Sequence, residues 1–383
     1  MSISGRSPLS PARRRFLGHA GAGAACLLAA PLIPRRAHAQ EMRIAPVATG
    51  LTEPWALAFL PDGGFLVSER GGRLLRLGAG AGAVAIGGVP RVATGGQGGL
   101  LDIMLPRDFA ETGQAFLTYA APQEGGGAGT ALGVGGLDGD RLADFAVLFE
   151  AAPGGRGGRH FGGRVVELPD GTLALTSGDR GVDERAQDLS RHEGKVLRIA
   201  RDGGVPADNP FRDTEGARPE IFSYGHRNPQ GAALDADGRL WVSEHGARGG
   251  DEINPIRPGA NYGWPVISYG THYSGARIGI GTEAGGMEQP AHYWDPSIAP
   301  SGHVICSGRM FPDWRGHHLV GSLNADHIAR HDPASPGPGG WAGARIATAE
   351  TRRVRDIREA PDGALWFLSV GNGAVFRLAR PGA

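Results

Sequence analysis

The sequence predicts an all-β protein, a six-bladed β-propeller with four-stranded antiparallel blades. The chain has 66 glycines among 383 residues, and no long amphipathic helical pattern stands out. Abundant glycine between short apolar runs is typical of strands joined by many turns. A turn of the Pro-Asp-Gly type, followed by an alternating apolar strand, also recurs six times along the chain. Units of this kind bury their sheet faces when they are arranged radially.

Each repeat consists of a turn, a strand, a second turn and another strand. The strands after the first turn read FLVSE, AFLTYA, TLALTSGD, RLWVSEHG, HHLVGSL and ALWFLSV. The turns are Pro61-Asp62-Gly63, Pro106-Arg107-Asp108, Pro169-Asp170-Gly171, Asp235-Ala236-Asp237-Gly238, Pro312-Asp313 and Pro361-Asp362-Gly363. A β-sandwich would also show alternating strands, but it does not predict a repeated turn.

The spacing of the repeats is uneven, which we attribute to loop insertions around residues 125–136 and 248–288. The first insertion reads GGGAGTALGVGG. We expect it to be a mobile loop or a flat hairpin. A phosphate-binding loop is disfavoured because no helical pattern follows it.

The N-terminus predicts a twin-arginine signal peptide over residues 1–39, followed by the propeller domain over residues 40–383. Arg13-Arg14-Arg15-Phe16-Leu17 precedes an apolar run, and Ala37-His38-Ala39 matches a cleavage site. An uncleaved membrane anchor is disfavoured because glycines and prolines break the short run. A lipoprotein attached through Cys26 is disfavoured because no leucine lies three residues before it. The pattern therefore indicates a periplasmic or secreted protein without stable membrane insertion.

Composition narrows the classes of partner. Lysine plus arginine and aspartate plus glutamate both number 39, so the formal net charge is +0. A balanced charge argues against nucleic acid or an anionic membrane surface as the partner. After removal of the leader, Cys306 is the remaining cysteine, which excludes an intramolecular disulfide. We expect a monomer or a homodimer.

Residues 223–265 carry the most informative chemistry. Arg227 and Asn228 suit a polyanionic planar ligand, which needs guanidinium forks and side-chain amides. Asp251 and Glu252 lie in an acid-rich turn of the kind that a hard cation requires. Both groups flank a strand predicted over residues 239–243. The segment thus points to a cofactor held together with calcium.

Further candidates lie elsewhere in the chain. His160 precedes a predicted strand and Asp179 follows the next, so a hairpin would bring them together as a general base and its orienting carboxylate. A histidine in a glycine-rich loop is nevertheless more often structural. Arg353 and Arg355 would share one face of a strand and suit carboxylates, although most arginine runs are solvated. Gln97 lies between glycines that permit a ligand to approach the backbone.

Many motifs in one order resemble the soluble glucose/sorbosone dehydrogenase family that uses pyrroloquinoline quinone, and most closely its aldose sugar dehydrogenases. They span nearly all of the mature chain: LTEPWALAFLPDG, GQGGLLDI, SGDRG, GKVLRI, DNPF, YGHRNPQG, HGARGGDEIN, GANYGWP, RVRDI and APDG. The resemblance implies that His160 is the catalytic base and that Asp179 orients it. It implies quinone contacts at Gln97, Arg227, Asn228, Asn324, Arg353 and Arg355. It implies calcium contacts at Gly246, Ala247, Glu252 and Tyr262.

The implied reaction is oxidation of an aldose at its anomeric C1 hydroxyl to a lactone, by hydride transfer to pyrroloquinoline quinone, with Ca²⁺ as the second cofactor. The electron acceptor that follows is not identified. Asn324 stands where the glucose dehydrogenase type has lysine, and Arg159 stands where it has an acid before the base. Both departures favour the broader aldose group.

Two other functions fit a six-bladed propeller. A calcium-dependent hydrolase of the lactonase type needs acids that converge on a central metal, whereas the acids here are dispersed. A non-catalytic binding propeller would leave the His160–Asp179 pair and the matched arginines without a purpose. Fold alone does not choose between these classes.

Overall fold

The computed structural model describes residues 42–78 and 81–382, and it confirms the predicted propeller. The predicted signal peptide over residues 1–39 lies outside the described residues. Six sheets of four antiparallel strands are present. Each blade is given from its innermost strand outward: blade 1 contains β2 Pro54–Phe59, β3 Phe65–Glu69, β4 Arg73–Gly78 and β5 Ala81–Ile86, and blade 2 contains β6 Leu100–Met104, β7 Gln114–Gln123, β8 Gly127–Asp138 and β9 Arg141–Glu150. Blade 3 contains β10 Val165–Glu167, β11 Leu173–Ser177, β12 Lys195–Ile199 and β13 Ile221–Tyr224, and blade 4 contains β14 Pro229–Leu234, β15 Leu240–Glu244, β16 Asp251–Pro255 and β17 His292–Trp294. Blade 5 contains β18 Pro300–Ile305, β19 His318–Ser322, β20 Ile328–Gly337 and β21 Gly340–Ile346, and blade 6 contains β22 Val354–Glu359, β23 Leu365–Ser369, β24 Ala374–Ala379 and β1 Arg43–Ala48.

Two sets of contacts close the ring of blades, one between the innermost strands and one within blade 6. The first strands of successive blades contact one another all the way round, and β22 of blade 6 returns to β2 of blade 1. Blade 6 takes its fourth strand from the beginning of the domain, because β1 pairs with β24 from Arg43↔Ala379 to Ala48↔Val375. The two ends of the domain therefore hold each other through a sheet ladder.

Helical structure is minor. The described residues contain one four-residue α-helix, α1 Phe109–Thr112, and three short 3-10 turns, Asp183–Ala186, Pro312–Trp314 and Ala349–Thr351. No helix among them has the length and apolar character needed to cross a membrane.

The repeated Pro-Asp-Gly turn joins the first and second strands of its blade. Asp62, Asp170 and Asp362 each accept the backbone N–H two residues further on at 2.9 Å, which is the Asx turn that favours aspartate. The glycine after each aspartate has φ near +83° or +84°, in the left-handed region that glycine adopts without steric cost. The repeat is therefore a repeat of turn chemistry, and each turn directs a strand into the core.

The core lies between neighbouring blades. The second strands β3 and β11 are buried along their whole length. Leu66 of blade 1 and Leu117 of blade 2 belong to one apolar cluster and are both fully buried. Each such leucine stabilises the fold by roughly 1.5–3 kcal/mol relative to an exposed one. Packing of blade on blade thus replaces a single central core.

Two local predictions need correction. Most of segment 125–136 is not a mobile loop, because it forms the turn and the third strand of blade 2, with β7 and β8 paired from Gln114↔Gly136 to Gln123↔Gly127. The hairpin alternative was therefore correct. Asp251 and Glu252 do not lie in a turn but begin β16, where Glu252 pairs with Glu244 of β15. The glycines and charges that indicated loops are accommodated in strands because neighbouring backbones supply their hydrogen bonds.

An ion-pair network fills the channel between the first strands. Arg164, which is 1% exposed, lies 3.0 Å from Asp102 of β6 and 3.1 Å from Asp356 of β22. Arg358 contacts the same two carboxylates at 2.8 and 3.0 Å. Two cations and two anions thus tie blades 2 and 6 to the residue before β10.

We predict that Arg164→Met destabilises the fold by about 3–5 kcal/mol, because it leaves buried carboxylates with half of their compensating charge. The urea midpoint of unfolding would measure the loss. Arg239→Met is the matched control, since Arg239 is solvent-exposed and its ion pairs with Asp235 and Asp237 lie at the surface, where such pairs contribute about 0–1 kcal/mol. An Arg164→Met midpoint equal to that of the wild type would contradict the prediction.

Candidate active site

A cavity of about 800 Å³ opens at one end of the propeller. Its walls come from the residues that begin the first strands and from those that follow the second strands, which meet at the same end because consecutive strands are antiparallel. Trp55 and Arg70 are the contribution of blade 1, and Asn228 and His245 that of blade 4. Every blade therefore contributes residues to the walls of this one cavity.

Most of the predicted ligand-binding residues line this cavity. They come from blades that are distant in sequence: Gln97, Asn228, Gly246, Ala247, Asn324, Arg353 and Arg355. The structure brings these residues together. Their predicted roles are separate proposals.

The cavity is rich in fixed cations. Arg355 donates to Gln230 Oε1 at 2.8 Å, and burial, together with Arg164, Arg70 and Arg353, lowers the pKa of Arg355 to about 9. Arg353 has φ of +49° and donates to the Leu323 carbonyl at 3.1 Å. Guanidinium groups that repel one another in a cavity are stabilised by an anionic ligand, and their forks match carboxylates.

A second, adjoining cavity of about 370 Å³ contains His160. His160 Nδ1 lies 2.6 Å from Asp179 Oδ1. The fully buried Asp179 also accepts the Gly181 N–H at 2.7 Å and the indole N–H of Trp264 at 2.9 Å. An ionised carboxylate accepts only, so Nδ1 carries the proton and Nε2 is left with a lone pair. The ring is oriented as a general base requires.

The backbone of His160 is held in an uncommon conformation. Its φ is +53°, in a region that costs a non-glycine residue about 1–3 kcal/mol. Gln97 Oε1 accepts the His160 N–H at 2.7 Å, and the Gln97 N–H donates to the Gly158 carbonyl at 2.7 Å. Gln97, predicted as a quinone contact, therefore also clamps the loop that presents His160.

Arg227 does not line the large cavity. Its guanidinium donates to the Gly246 carbonyl and lies over the Trp264 ring, 5.1 Å from the centroid. It contributes to the His160 cavity and to a small hollow beside Glu252 and Tyr262. Arg227 Nε is a buried nitrogen without a hydrogen-bond partner among the described residues.

His245 is a second orphaned group, and it lies in the wall of the large cavity. Its buried Nε2 also lacks a partner among the described residues. Burial lowers the pKa of His245 to about 3, and Arg227 and Arg355 add to the effect. A neutral imidazole therefore faces the cavity at physiological pH.

The predicted calcium residues Glu252 and Tyr262 lie at the small hollow. Asn254 donates to Glu244 at 3.1 Å and to Glu252 at 3.0 Å, and burial followed by the Glu244 charge raises the pKa of Glu252. The Tyr262 hydroxyl donates to Pro255 O at 2.5 Å, so its backbone oxygen is the atom that suits a cation. Within residues 42–78 and 81–382, no group of three or more His, Cys, Asp or Glu side chains is arranged to hold a metal, so carbonyl oxygens would have to complete a site.

Sequence reasoning missed several residues of the cavity walls. These are Trp55, Arg70, Gln230, His245, Arg248 and Tyr273. The repeat contained a usable signal for two of them. Arg70 and His245 follow the second strand of their blades, as Asp179 and Asn324 do, so aligning the repeats would have found them.

The chain is similar to known proteins over most of its length. The Glucose / Sorbosone dehydrogenase family profile matches residues 51–377. The chain is 43% identical over 326 residues to aldose sugar dehydrogenase YliI of Escherichia coli, covering 83% of this chain and 87% of the relative. The crystal structure of the soluble aldose sugar dehydrogenase of E. coli in its apo form superposes with a TM-score of 0.85 at 39% identity, covering 89% of this chain and all of the other. The structure of the PQQ-bound aldose sugar dehydrogenase of Streptomyces coelicolor superposes with a TM-score of 0.72 at 29% identity, covering 89% and 98% of the two chains. This chain belongs to the glucose/sorbosone dehydrogenase family.

Proposed function

We propose that this protein oxidises aldose sugars at the anomeric C1 hydroxyl to lactones, with pyrroloquinoline quinone as the electron acceptor and Ca²⁺ as the second cofactor. The observation that carries the proposal is the oriented His160–Asp179 pair in a cavity beside a larger, cationic one. The relatives named as aldose sugar dehydrogenases, one of them in a PQQ-bound form, support it.

The large cavity suits the quinone by charge and by the polar groups that line it. The cofactor is planar and carries three carboxylates, and Arg353 and Arg355 offer two guanidinium groups on one wall. Gln97, Asn228 and Asn324 add amide groups. When bound, pyrroloquinoline quinone supplies an ortho-quinone that accepts the sugar's hydride. Asn324 adds no charge, so the arginines provide the cationic contacts.

His160 performs the proton step in this proposal. Nε2 accepts the proton of the sugar's C1 hydroxyl, while Asp179 holds the ring and stabilises the imidazolium that forms. Trp264 and Gly181 fix the carboxylate in turn. Three donors on Asp179 keep the base in one orientation throughout the reaction.

Calcium has two sets of candidate ligands. The Gly246 and Ala247 carbonyls lie at the wall shared with the quinone cavity, and Glu252 with the Tyr262 carbonyl lies behind them at the small hollow. Carboxylate and backbone oxygens are the ligands that Ca²⁺ prefers. In this structure the Gly246 carbonyl accepts a hydrogen bond from the Arg227 guanidinium, so that guanidinium would have to turn aside for this oxygen to bind Ca²⁺.

We further propose that residues 1–39 direct twin-arginine export, so that the domain works in the periplasm or outside the cell. The charge balance of the chain agrees with a small neutral substrate, and the electron acceptor stays unidentified.

Dye-linked oxidation of a panel of aldoses tests the function. We expect activity only when purified protein receives both pyrroloquinoline quinone and Ca²⁺, with each omission lowering the rate to background and ¹H NMR identifying a lactone. A parallel assay of lactone hydrolysis without quinone tests the hydrolase alternative. Calcium-dependent lactone hydrolysis without any sugar oxidation would overturn the proposal.

A further inference from the structure

We infer that Asp183 determines sugar specificity, by accepting a hydrogen bond from a substrate hydroxyl other than the one at C1. The inference rests on the proposed function and deepens it, because it names the side chain that recognises a neutral, polyhydroxylated substrate. It concerns the 370 Å³ cavity that contains His160, and not the cationic cavity proposed for the quinone.

This His160 cavity has the make-up of a carbohydrate site. Its volume falls in the range of about 300–1,000 Å³ that is usual for small-molecule sites. Trp264 and Tyr273 provide aromatic surfaces, and Tyr273 is 75% exposed at the opening. Arg159 provides hydrogen-bond donors, and Asp183 and Glu184 provide carboxylate acceptors. Aromatic faces with a few convergent polar groups suit a ring that is apolar on its faces and polar at its edge.

The Asp183 carboxylate is half-buried and accepts no hydrogen bond from the described residues. Among those residues it has no ion pair either, and Arg227 and His272 are the charges that act on it most favourably. Burial, followed by the nearby charge of Asp179, raises the pKa of Asp183. A carboxylate partly removed from water without a partner is stabilised when a ligand donates to it. Glu184, its neighbour in the cavity wall, is exposed, so water can donate to its carboxylate and it gains less from a ligand.

The backbone that carries Asp183 is fixed on both sides. Before it, the Val182 N–H donates to the Asp179 carbonyl at 3.2 Å. After it, the ammonium of the fully buried Lys195 donates to the Arg185 and Ala186 carbonyls at 2.9 and 3.0 Å. The backbone that carries Asp183 is therefore held near Asp179, and through Asp179 near His160. A carboxylate on a fixed segment of backbone, in the same cavity as the base, reaches a limited set of the sugar's hydroxyls.

The position of the neighbouring cation supports the same assignment. Arg159, the residue before the base, packs its side chain against Gly181, where a side chain would collide with it. Residue 159 is thus a donor in this protein and cannot accept a hydroxyl proton. Of the two carboxylates in the His160 cavity, Asp183 is the half-buried one, which makes it the acceptor that gains more from a substrate hydroxyl.

A double-mutant cycle between enzyme and substrate tests the inference. The reconstituted enzyme and its Asp183→Asn and Asp183→Ala variants would be assayed on one good aldose and on its deoxy analogues, each lacking one ring or exocyclic hydroxyl. We expect Asp183→Ala to lower kcat/KM about 10- to 100-fold on the parent sugar, the usual contribution of a hydrogen bond to a charged group. For one deoxy analogue the wild type should show the same loss, and the variant should add less than about twofold to it.

Asp213→Ala is the matched control, because it removes an exposed carboxylate that lines neither the large cavity nor the His160 cavity. It should change kcat/KM by less than about threefold. Quinone titration by absorbance should be unchanged in the Asp183 variants, which keeps a cofactor defect apart from a substrate defect. Equal losses in Asp183→Ala and Asp213→Ala, or strictly multiplicative losses for every deoxy analogue, would overturn the inference.

Direct sugar binding separates this inference from the proposed function. Saturation-transfer NMR on the quinone-free protein would report contact with the sugar whether or not oxidation occurs. Binding by the wild type that Asp183→Ala abolishes supports the specificity role, even if the oxidation assay fails. Sugar oxidation with unaltered binding and kinetics in Asp183→Ala sinks the inference and leaves the function standing.

Discussion

His160→Ala is expected to lower kcat by about 10²- to 10⁴-fold, the usual contribution of a positioned general base. The ring that it removes is the one held at 2.6 Å from Asp179. KM for the sugar should change much less, because a base contributes mainly in the transition state. Initial-rate kinetics with saturating quinone and Ca²⁺ would measure both constants.

Added imidazole makes the test specific. The truncated side chain leaves room in a 370 Å³ cavity, so free imidazole should restore part of kcat, with a dependence on pH that follows its neutral form. His317→Ala is the matched control, since His317 belongs to blade 5 and lines neither cavity. Retention of kcat within about threefold in His160→Ala would remove this residue from the mechanism.

Asp179→Asn tests the other member of the His160–Asp179 pair. An amide can donate to His160 Nδ1, which would move the proton to Nε2 and present a donor to the substrate instead of a lone pair. We therefore expect a loss of kcat close to that of His160→Ala, and a double variant no worse than either single one, because the two residues act as one unit.

The fold was predictable because its repeated turns depend on residues that are adjacent in the sequence. Asp62 and Asp362 lie 300 positions apart in number, yet each makes the same Asx turn, and this signal needs no knowledge of the partner strands. Segment 125–136 was ambiguous because glycine permits loop and strand alike. Pairing with β7 makes most of this segment a strand, and such pairing depends on the whole sheet and not on the local sequence.

The site was predictable where two residues flank one hairpin. His160 and Asp179 meet because β10 and β11 are adjacent and antiparallel. The position of Arg227 was not predictable in the same way, since its guanidinium turns to the Gly246 carbonyl, 19 positions away. Side-chain direction depends on which neighbours offer acceptors, and those neighbours are set by tertiary packing.

Sequence reasoning also overlooked a buried cluster of four histidines between blades 4 and 5. His303 Nε2 lies 2.9 Å from His318 Nδ1, and the rings of His292 and His331 have centroids 4.0 Å apart. All four are at most 7% exposed. Nothing in the local sequence joins these residues, because β17, β18, β19 and β20 bring them together only in the folded ring.

The cluster has no means of accommodating protons. His292 Nε2, His303 Nδ1 and His331 Nδ1 are buried without partners among the described residues. Burial, with the neighbouring imidazoles, lowers the pKa of His292 and of His318 to about 3 and that of His331 to about 4. The pKa of His303 is also lowered well below its usual value, for the same reasons.

These shifts predict a steep loss of stability in acid. In the unfolded chain each imidazole titrates near pH 6.5, whereas in the folded protein it stays neutral down to about pH 4. Between those values the unfolded state binds more protons, so the stability that these histidines contribute is complete above about pH 6.5 and is lost as the pH is lowered towards 4. Each histidine contributes a slope of about 1.4 kcal/mol per pH unit over that window, and four of them make the expected effect larger than that of any single substitution considered above.

Urea midpoints at constant ionic strength, taken from pH 8 to pH 5, would show the loss. Carboxylates with lowered pKa values, such as Asp235 beside Trp241, titrate below this range and so do not produce the slope between pH 6.5 and 5. Glu252, whose pKa is raised to about 8, acts with the opposite sign, so the test compares the wild type with a variant that also carries Glu252. His292→Phe keeps an aromatic ring against Trp341, whose ring stacks on His292 at an interplanar angle of 13°, and it removes one titrating group. The variant should therefore lose less stability per pH unit than the wild type, with a slope smaller by the uptake of about one proton, whatever its stability at pH 8.

His272→Phe, at an exposed histidine, is the control and should leave the slope unchanged. Equal slopes for the wild type and His292→Phe would mean that the imidazoles of this cluster accept protons in the folded state, and that the buried cluster opens to water without unfolding.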